Sequence, residues 1–213
     1  MKIGILGTGD VGKAQGRGHI ALGHEVKMGS RSATNPAALA WAKEMGGKAS
    51  GGTLADAAAF GEIVLVAVKG EGIPDALKAA GPKNFKGKVV IDITNPLDFS
   101  GPVPAIKVVG YPSAGEQVQA LLPDAHVVKA FNTGGSGHHF KPNFPGGPPD
   151  MFYCGNNEDA KKTVAGIIKD FGWGAVDVGG IESARYLEGA AMVYIIHAIA
   201  TNNWNQAFKL LRK

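Results

Sequence analysis

Short apolar runs alternate along the chain with amphipathic segments and with glycine-rich turns. Residues 62–68 form an almost continuous apolar run, which is typical of a central parallel strand covered on both faces. Six further segments have the composition of strands: 1–6, 24–28, 88–93, 126–131, 151–154 and 174–178. Segments with helical periodicity lie between most of them. This alternation predicts an α/β fold with a right-handed, doubly wound parallel sheet.

The first thirty residues combine a strand, a glycine turn and a helix. Gly7, Gly9 and Gly12 form a G-x-G-x-x-G pattern directly after the first strand, and a helix is predicted to follow over 13–22. The first glycine permits a tight turn, the second leaves space for a pyrophosphate, and the third lets the helix pack closely. The dipole and free N–H groups at the start of a helix favour an anion there. The pattern predicts a Rossmann dinucleotide-binding domain, although glycine-rich turns also occur for structural reasons alone.

The turn after the second strand indicates which dinucleotide is bound. Proteins that use NAD usually place Asp or Glu there to bind the adenosine ribose hydroxyls, whereas this chain has Gly29-Ser30-Arg31-Ser32. Arg31 can bind a 2′-phosphate through two hydrogen bonds and Ser30 can donate another. The sequence therefore predicts NADP(H) as cofactor. The alternative is an ordinary exposed arginine in a turn.

Composition narrows the classes of function. The 213 residues are 45% apolar and 19% charged, as in a globular protein, and the net charge of +4 is spread along the chain. This distribution argues against a nucleic-acid partner. The longest apolar stretch, 189–200, is too short to span a membrane, and no leader precedes the first strand, so we expect a cytoplasmic protein. The single cysteine, Cys154, excludes an internal disulfide and is predicted to be a small buried hydrophobe.

Two regions near the C-terminus have less regular patterns. Residues 134–150 form a long Gly- and Pro-rich loop with His138 and His139, interpreted as a solvated loop or one that touches the substrate. No metal site is predicted, because no Cys, Asp or Glu lies beside these histidines at a ligand spacing. The last helix should start near Ser183. Its apolar stripe is expected to be core or a dimer face: Leu187, Ala190, Ala191, Tyr194, Ile195 and Ala198.

Four motifs occur together and in order: Gly7 to Gly12, Gly29-Ser30-Arg31, Lys129-Ala130-Phe131-Asn132-Thr133 and Tyr153-Cys154-Gly155-Asn156. With them, nearly the whole chain resembles the family of NADPH-dependent coenzyme F420 reductases. It is also similar to the NADPH domain of the STEAP metalloreductases. The resemblance implies an oxidoreductase that transfers a hydride between NADP(H) and a deazaflavin (coenzyme F420) or a flavin such as FMN or FAD.

The resemblance also implies a set of site residues. The diphosphate would lie on the turn made by Gly7, Thr8, Gly9, Asp10, Val11 and Gly12, and the 2′-phosphate on Ser30 and Arg31. Residues that would line the nicotinamide ribose side are Ala67, Val68, Lys69, Asn95 and Pro96. Residues that would lie next to the acceptor ring are Asn132, Thr133, Gly134, Gly135 and Ser136. No side chain is expected to be catalytic, because the cofactor supplies the chemistry.

Residues 1–150 are expected to form the NADP-binding domain, with 151–213 as a small α/β extension that completes the acceptor site. A small-molecule acceptor and a homodimer are predicted as partners. Two alternatives stay open. One is an NADPH-dependent imine or carbonyl reductase, and the other is a regulatory module that senses the NADP redox state without catalysis.

Overall fold

The computed structural model describes all of residues 1–213 and contains ten strands and seven helices. The strands are β1 (Lys2–Leu6), β2 (Glu25–Ser30), β3 (Ala49–Thr53), β4 (Ile63–Val66), β5 (Val89–Asp92), β6 (Leu97–Asp98), β7 (Ala105–Ile106), β8 (His126–Lys129), β9 (Asp150–Gly155) and β10 (Gly174–Asp177). The helices are α1 (Asp10–Ala21), α2 (Pro36–Met45), α3 (Leu54–Phe60), α4 (Ile73–Ala80), α5 (Ala114–Leu121), α6 (Glu158–Asp170) and α7 (Ala184–Thr201).

Eight strands form one sheet in the order β10-β9-β8-β5-β4-β1-β2-β3, and helices cover both of its faces. All neighbours are parallel except β8 and β9, which pair antiparallel. The loop between these two strands contains no crossover helix, so β9 can return in the opposite direction. The predicted doubly wound Rossmann fold is confirmed, with this antiparallel pair as a difference. β9 and β10 belong to the same sheet as the strands before them. The predicted division into an NADP-binding domain and an extension at residue 150 stays a prediction.

The pattern of apolar residues does not predict two parts of the observed strand structure. β3 is an edge strand whose Ser50, Gly51 and Gly52 carry no apolar side chain, and it pairs with β2 through backbone bonds. The other part is a small antiparallel hairpin made by β6 and β7, which follows β5. Strands of this kind are stabilised by backbone pairing with a neighbour, and hydrophobic alternation does not reveal them.

The core has two halves, one on each face of the sheet. Trp41, Phe131 and Phe171 pack on the face covered by α2 and α6. Leu77 and Phe85 pack on the opposite face with residues of α3, α5 and α7. Cys154 is fully buried in this second half, as predicted, and burial raises the pKa of its thiol to about 12.

The last helix, α7, is apolar on both sides. The predicted stripe lies mostly inside the protomer, where Leu187, Ala191, Tyr194, Ile195 and Ala198 are buried and Ala190 is partly exposed. The opposite face exposes Tyr186, Val193 and Ile196. The predicted stripe is therefore mostly core, one of its two expected roles, and the homodimer stays a prediction. None of the helices combines the length and the apolar composition needed to cross a bilayer.

Candidate functional site

The strands β1, β2, β4, β5 and β8 are parallel, so they all end at one edge of the sheet. Backbone bonds tie the segments that leave this edge: Gly7 N donates to Gly29 O at 3.0 Å, and Ala67 N donates to Leu6 O at 2.9 Å. The edge brings together the glycine turn, the Ser30–Arg31 turn and the segments that begin at Ala67, Thr94 and Ala130. Open α/β sheets bind ligands at this edge.

The glycine turn fits a diphosphate. Gly7 has a φ of +124°, and a Cβ there would lie 2.3 Å from Ala67 O. At Gly12 a Cβ would lie 2.6 Å from Gly7 O, whereas at Gly9 it would meet nothing within 4 Å. The space above Gly9 is therefore open. No side chain caps the first turn of α1, so its free N–H groups can bind an anion.

The turn after β2 presents one unpaired cation. Arg31 is exposed and takes part in no ion pair or side-chain hydrogen bond. The buried Ser30 hydroxyl, in contrast, donates to Ser32 O and accepts from Ser32 N, so it closes the turn. The exposed hydroxyls of Ser32 and Thr34 lie 3.0 Å apart just beyond Arg31. These two hydroxyls are further candidate phosphate donors, and their adjacency to Arg31 in the sequence is the signal that could have found them.

Asn95 and Asn132 join the ends of β5 and β8. Asn95 Nδ2 donates to Asn132 O at 2.8 Å, and Asn132 Nδ2 donates to Asn95 Oδ1 and Leu187 O, both at 3.0 Å. Phe131 has a φ of +59°, which is a strained value for a bulky residue and bends the chain into this pair. Thr133 is also buried, and its hydroxyl contacts Met151 Sδ at 3.5 Å. The Thr133 side chain and Asn132 Nδ2 therefore contact the protein itself, whereas the buried Asn132 Oδ1 has no hydrogen-bond partner.

A buried ion network lies beneath the two asparagines. Lys129 Nζ is 2.8 Å from Asp92 Oδ2, 2.9 Å from Glu188 Oε1 and 2.7 Å from Thr94 O. Glu188 also accepts from the first N–H groups of α5, those of Ala114 and Gly115. Burial lowers the pKa of Lys129, but the two carboxylates outweigh it and raise the pKa above its ordinary value. The lysine is therefore charged and holds three elements together below the site.

Gly134 and Gly135 lie against aromatic side chains of the protein. A Cβ at Gly135 would be 2.5 Å from Tyr194 Oη, and one at Gly134 would be 3.1 Å from Trp173 Cη2. The Tyr194 hydroxyl donates to Trp204 O at 3.0 Å. The protein's own packing therefore leaves little room for a side chain at either position, whether or not a ring approaches them.

His139 differs from the sequence expectation of a solvated or substrate-contacting histidine. Its side chain is only 1% exposed, its Nδ1 lies 2.9 Å from Gln15 Nε2 on α1, and its Nε2 lies 3.2 Å from Gly134 O. Because a carbonyl can only accept, Nε2 carries the proton. Burial lowers the pKa of His139 to about 4, although the bond to Gly134 acts in the opposite direction. The solvated interpretation is wrong for His139, which anchors the loop as a neutral imidazole.

A cavity of about 660 Å³ adjoins the nicotinamide side of the predicted site. It lies between the segment before α4, the end of β5, the β6–β7 hairpin and α5. Lys69, Asn95 and Pro96, three of the residues predicted for the nicotinamide side, line it together with Phe99, Lys107 and Gln117. Phe99, Lys107 and Gln117 were not predicted from the sequence. The hairpin has no strand pattern, and Gln117 has the pattern of a surface residue on an amphipathic helix.

Comparisons of this chain with a family model, with a known reductase and with a solved structure point to the same family. The family model for coenzyme F420-dependent NADP oxidoreductases matches residues 2–96. The F420-dependent NADP reductase of Methanocaldococcus jannaschii is 30% identical over 208 residues, covering 92% of this chain and 91% of that protein. The crystal structure of a candidate F420-dependent NADP reductase from Arthrobacter sp. FB24 matches with a TM-score of 0.92 and 38% identity, covering 100% of both chains.

More remote similarities are partial. The rat metalloreductase STEAP3 is 28% identical over 191 residues, which cover 88% of this chain but 36% of the metalloreductase. The chain thus spans about a third of the length of that relative. A Streptomyces aurantiacus imine reductase matches with a TM-score of 0.69 at 16% identity, a likeness that shows the fold alone.

Proposed function

Because the chain belongs to the family of coenzyme F420-dependent NADP oxidoreductases, it is an NADP-dependent oxidoreductase, and we propose that it transfers a hydride between NADP(H) and a deazaflavin or flavin. When bound, the nicotinamide supplies or receives the hydride at its C4 atom. The observation that carries the choice of acceptor is the cavity of about 660 Å³ beside Asn95. Its volume lies in the range of pockets that enclose drug-sized ligands, which includes a three-ring acceptor.

The residues contribute mainly by position. The first turn of α1 and Arg31 bind the phosphates, while Lys69, Asn95 and Pro96 line the nicotinamide ribose. Asn95 is held by its two bonds with Asn132, so this wall is preorganised before the ligands arrive. The family resemblance predicts an acceptor ring near residues 132–136, whereas none of those residues lines the cavity beside Asn95. Since hydride transfer between two rings needs contact and exclusion of water, no side chain has to act as nucleophile.

A panel of acceptors tests the proposal. NADPH oxidation is followed at steady state with coenzyme F420, FMN, FAD, riboflavin and ferric chelates, and each rate is compared with NADH as donor. We expect a deazaflavin or flavin to be reduced, with NADPH strongly preferred. Oxidation by none of these acceptors would show that the protein is a sensor or acts on another substrate class.

Lys69 supports a second candidate function, an imine or carbonyl reductase. Its exposed ammonium lines the cavity, has no ion-pair partner, and could protonate a product nitrogen or oxygen. Turnover of cyclic imines or ketones with NADPH, lost about 10²- to 10⁴-fold in Lys69→Met, would favour this candidate. A flavin reductase should lose much less in the same variant.

We also propose a homodimer that uses the exposed face of α7. Tyr186, Val193 and Ile196 place apolar side chains along that face, and patches of this kind on soluble proteins often mark interfaces. Light scattering at micromolar concentration should give twice the protomer mass of 22.0 kDa. Val193→Glu should return the mass to that of one protomer. A monomeric wild-type protein contradicts the proposal.

A further inference from the structure

The cavity beside Asn95 is lined by one side-chain amide that has no partner within the protein. Gln117 lies on α5, is only 7% exposed and lines the cavity, and its side-chain amide forms no hydrogen bond within the protein. Gln119, two residues further on, shows the contrast. Its amide donates to Leu122 O and Ala125 O, both at 3.1 Å, and accepts from Val127 N at 3.3 Å. Buried amides usually have such partners, so Gln117 is available for a ligand.

The other walls of the cavity combine apolar and charged side chains. Pro96 is buried at its base, and Phe99 and Val109 of the hairpin segment are exposed at its rim. Lys107 lies 3.5 Å from Asp98, so its charge is partly matched. A pocket that offers apolar surface beside a free amide, together with the charged side chains of Lys69, Glu71 and Lys107, suits a planar ligand with a polar edge. The free amide can both donate and accept at that edge.

We propose that this cavity holds the redox ring of the acceptor and that Gln117 binds its pyrimidinedione edge. Flavins and deazaflavins share this edge, in which an N–H lies between two carbonyls. A carboxamide complements it by donating to a carbonyl while accepting from the N–H. The inference rests on the proposed function and specifies the side from which the acceptor enters. The ring lies on the α4–α5 side of Asn95, away from Gly134 and Gly135, which pack against Trp173 and Tyr194.

Binding of two riboflavins tests this assignment without measuring activity. The NADP⁺-loaded protein is titrated with riboflavin and with 3-methylriboflavin, whose ring cannot donate from that nitrogen, and quenching of flavin fluorescence gives each Kd. For the wild type, methylation should raise Kd by about 2- to 12-fold, the range for one uncharged hydrogen bond. In Gln117→Leu, riboflavin should bind more weakly by a similar factor, and methylation should add no further loss. This loss of sensitivity would not follow from a purely structural role of Gln117.

Gln117→Leu changes a buried residue and could disturb folding. A second pair of variants, on the hairpin segment, therefore tests the cavity independently. Phe99→Ala removes an apolar wall of the cavity, whereas Val103→Ala removes a similarly exposed apolar side chain that does not line it. We expect Phe99→Ala to raise the riboflavin Kd by about 2- to 12-fold, as for loss of an aromatic contact. Val103→Ala should leave the Kd unchanged, and all variants should bind NADPH normally.

The possible failures are distinguishable. If riboflavin binds the wild type but neither methylation, Gln117→Leu nor Phe99→Ala changes its Kd, the ring lies elsewhere and the inference is wrong. A larger loss from Ser136→Leu than from Gln117→Leu likewise overturns it and favours the side of residues 132–136. If riboflavin binds as described while no flavin or deazaflavin oxidises NADPH, the cavity assignment stands and the proposed reaction fails.

Discussion

The two ends of the proposed NADP site are built in different ways. The phosphate end consists of the open glycine turn and the exposed Arg31, and its groups are unpaired within the protein. The nicotinamide end consists of Asn95 and Asn132 on a buried network centred on Lys129, in which Lys129, Asn132 and Glu188 meet partners 35 to 74 residues away. Substitutions at the first end should therefore weaken ligand binding and spare folding. Those at the second end should destabilise the fold itself.

Lys129→Met should have the largest effect. It leaves Asp92 and Glu188 as two buried carboxylates without their shared cation, and breaking a buried ion pair in this way costs about 3–5 kcal/mol. We expect this loss in the free energy of unfolding, measured with urea. Adding Glu188→Gln should recover part of it, because one of the unpaired charges is removed.

Lys162→Met is the matched control for that measurement. Lys162 also pairs with a carboxylate, that of Asp159 at 3.1 Å, but both side chains are largely exposed. Exposed pairs contribute little to stability, so the control should unfold like the wild type. Equal losses in the two lysine variants would show that the network is not what stabilises the nicotinamide end.

The same contrast explains what could be predicted from the sequence. The glycine turn is a local feature, since a strand, three spaced glycines and a helix follow one another within 22 residues. Seven of the strands were predicted because their apolar runs are also local. β3 was missed because Ser50, Gly51 and Gly52 lack apolar side chains. This segment is stabilised as a strand by its backbone pairing with β2.

The nicotinamide end and the loop after β8 depend on contacts that no local pattern records. Gln15 meets His139 across 124 residues, and Ala114 meets Glu188 across 74. Two adjacent histidines in a Gly- and Pro-rich loop therefore looked solvated, although one of them is core. Gln117 was missed for the same reason, since its unpartnered amide becomes evident only when the neighbouring elements are in place.

His139, which anchors the loop after β8, should make stability depend on pH. Its pKa is about 4 in the folded protein and has an ordinary value of 6.5, so below pH 6.5 the unfolded chain binds a proton that the folded protein does not. Stability should therefore fall as the pH drops from 6.5 towards 4, by an amount on the order of 3 kcal/mol. His139→Gln should lose this part of the slope in urea titrations at several pH values.

Two comparisons isolate that effect. At pH 8 the difference between wild type and His139→Gln reports only the changed hydrogen bonds to Gln15 and Gly134. His138→Gln, which retains His139, should keep the wild-type slope between pH 6.5 and 4. An unchanged slope in His139→Gln would mean that the buried imidazole is not the group that titrates.

Arg31→Ala should have the smallest effect on the fold and should act only on ligand binding. The guanidinium is exposed and unpaired, so its loss breaks no contact inside the protein. A charge-assisted hydrogen bond to the 2′-phosphate contributes about 1.5–3 kcal/mol, so the Kd for NADPH should rise roughly 10- to 150-fold. The affinity for NADH, which lacks that phosphate, should hardly change, and the urea midpoint should equal that of the wild type. Arg17→Ala is the control, because Arg17 pairs with Glu44 at 3.1 Å, away from the turn. An equal loss of NADPH and NADH binding in Arg31→Ala would mean that Arg31 shapes the turn without binding the 2′-phosphate. The contrast between the phosphate end and the nicotinamide end would then no longer hold.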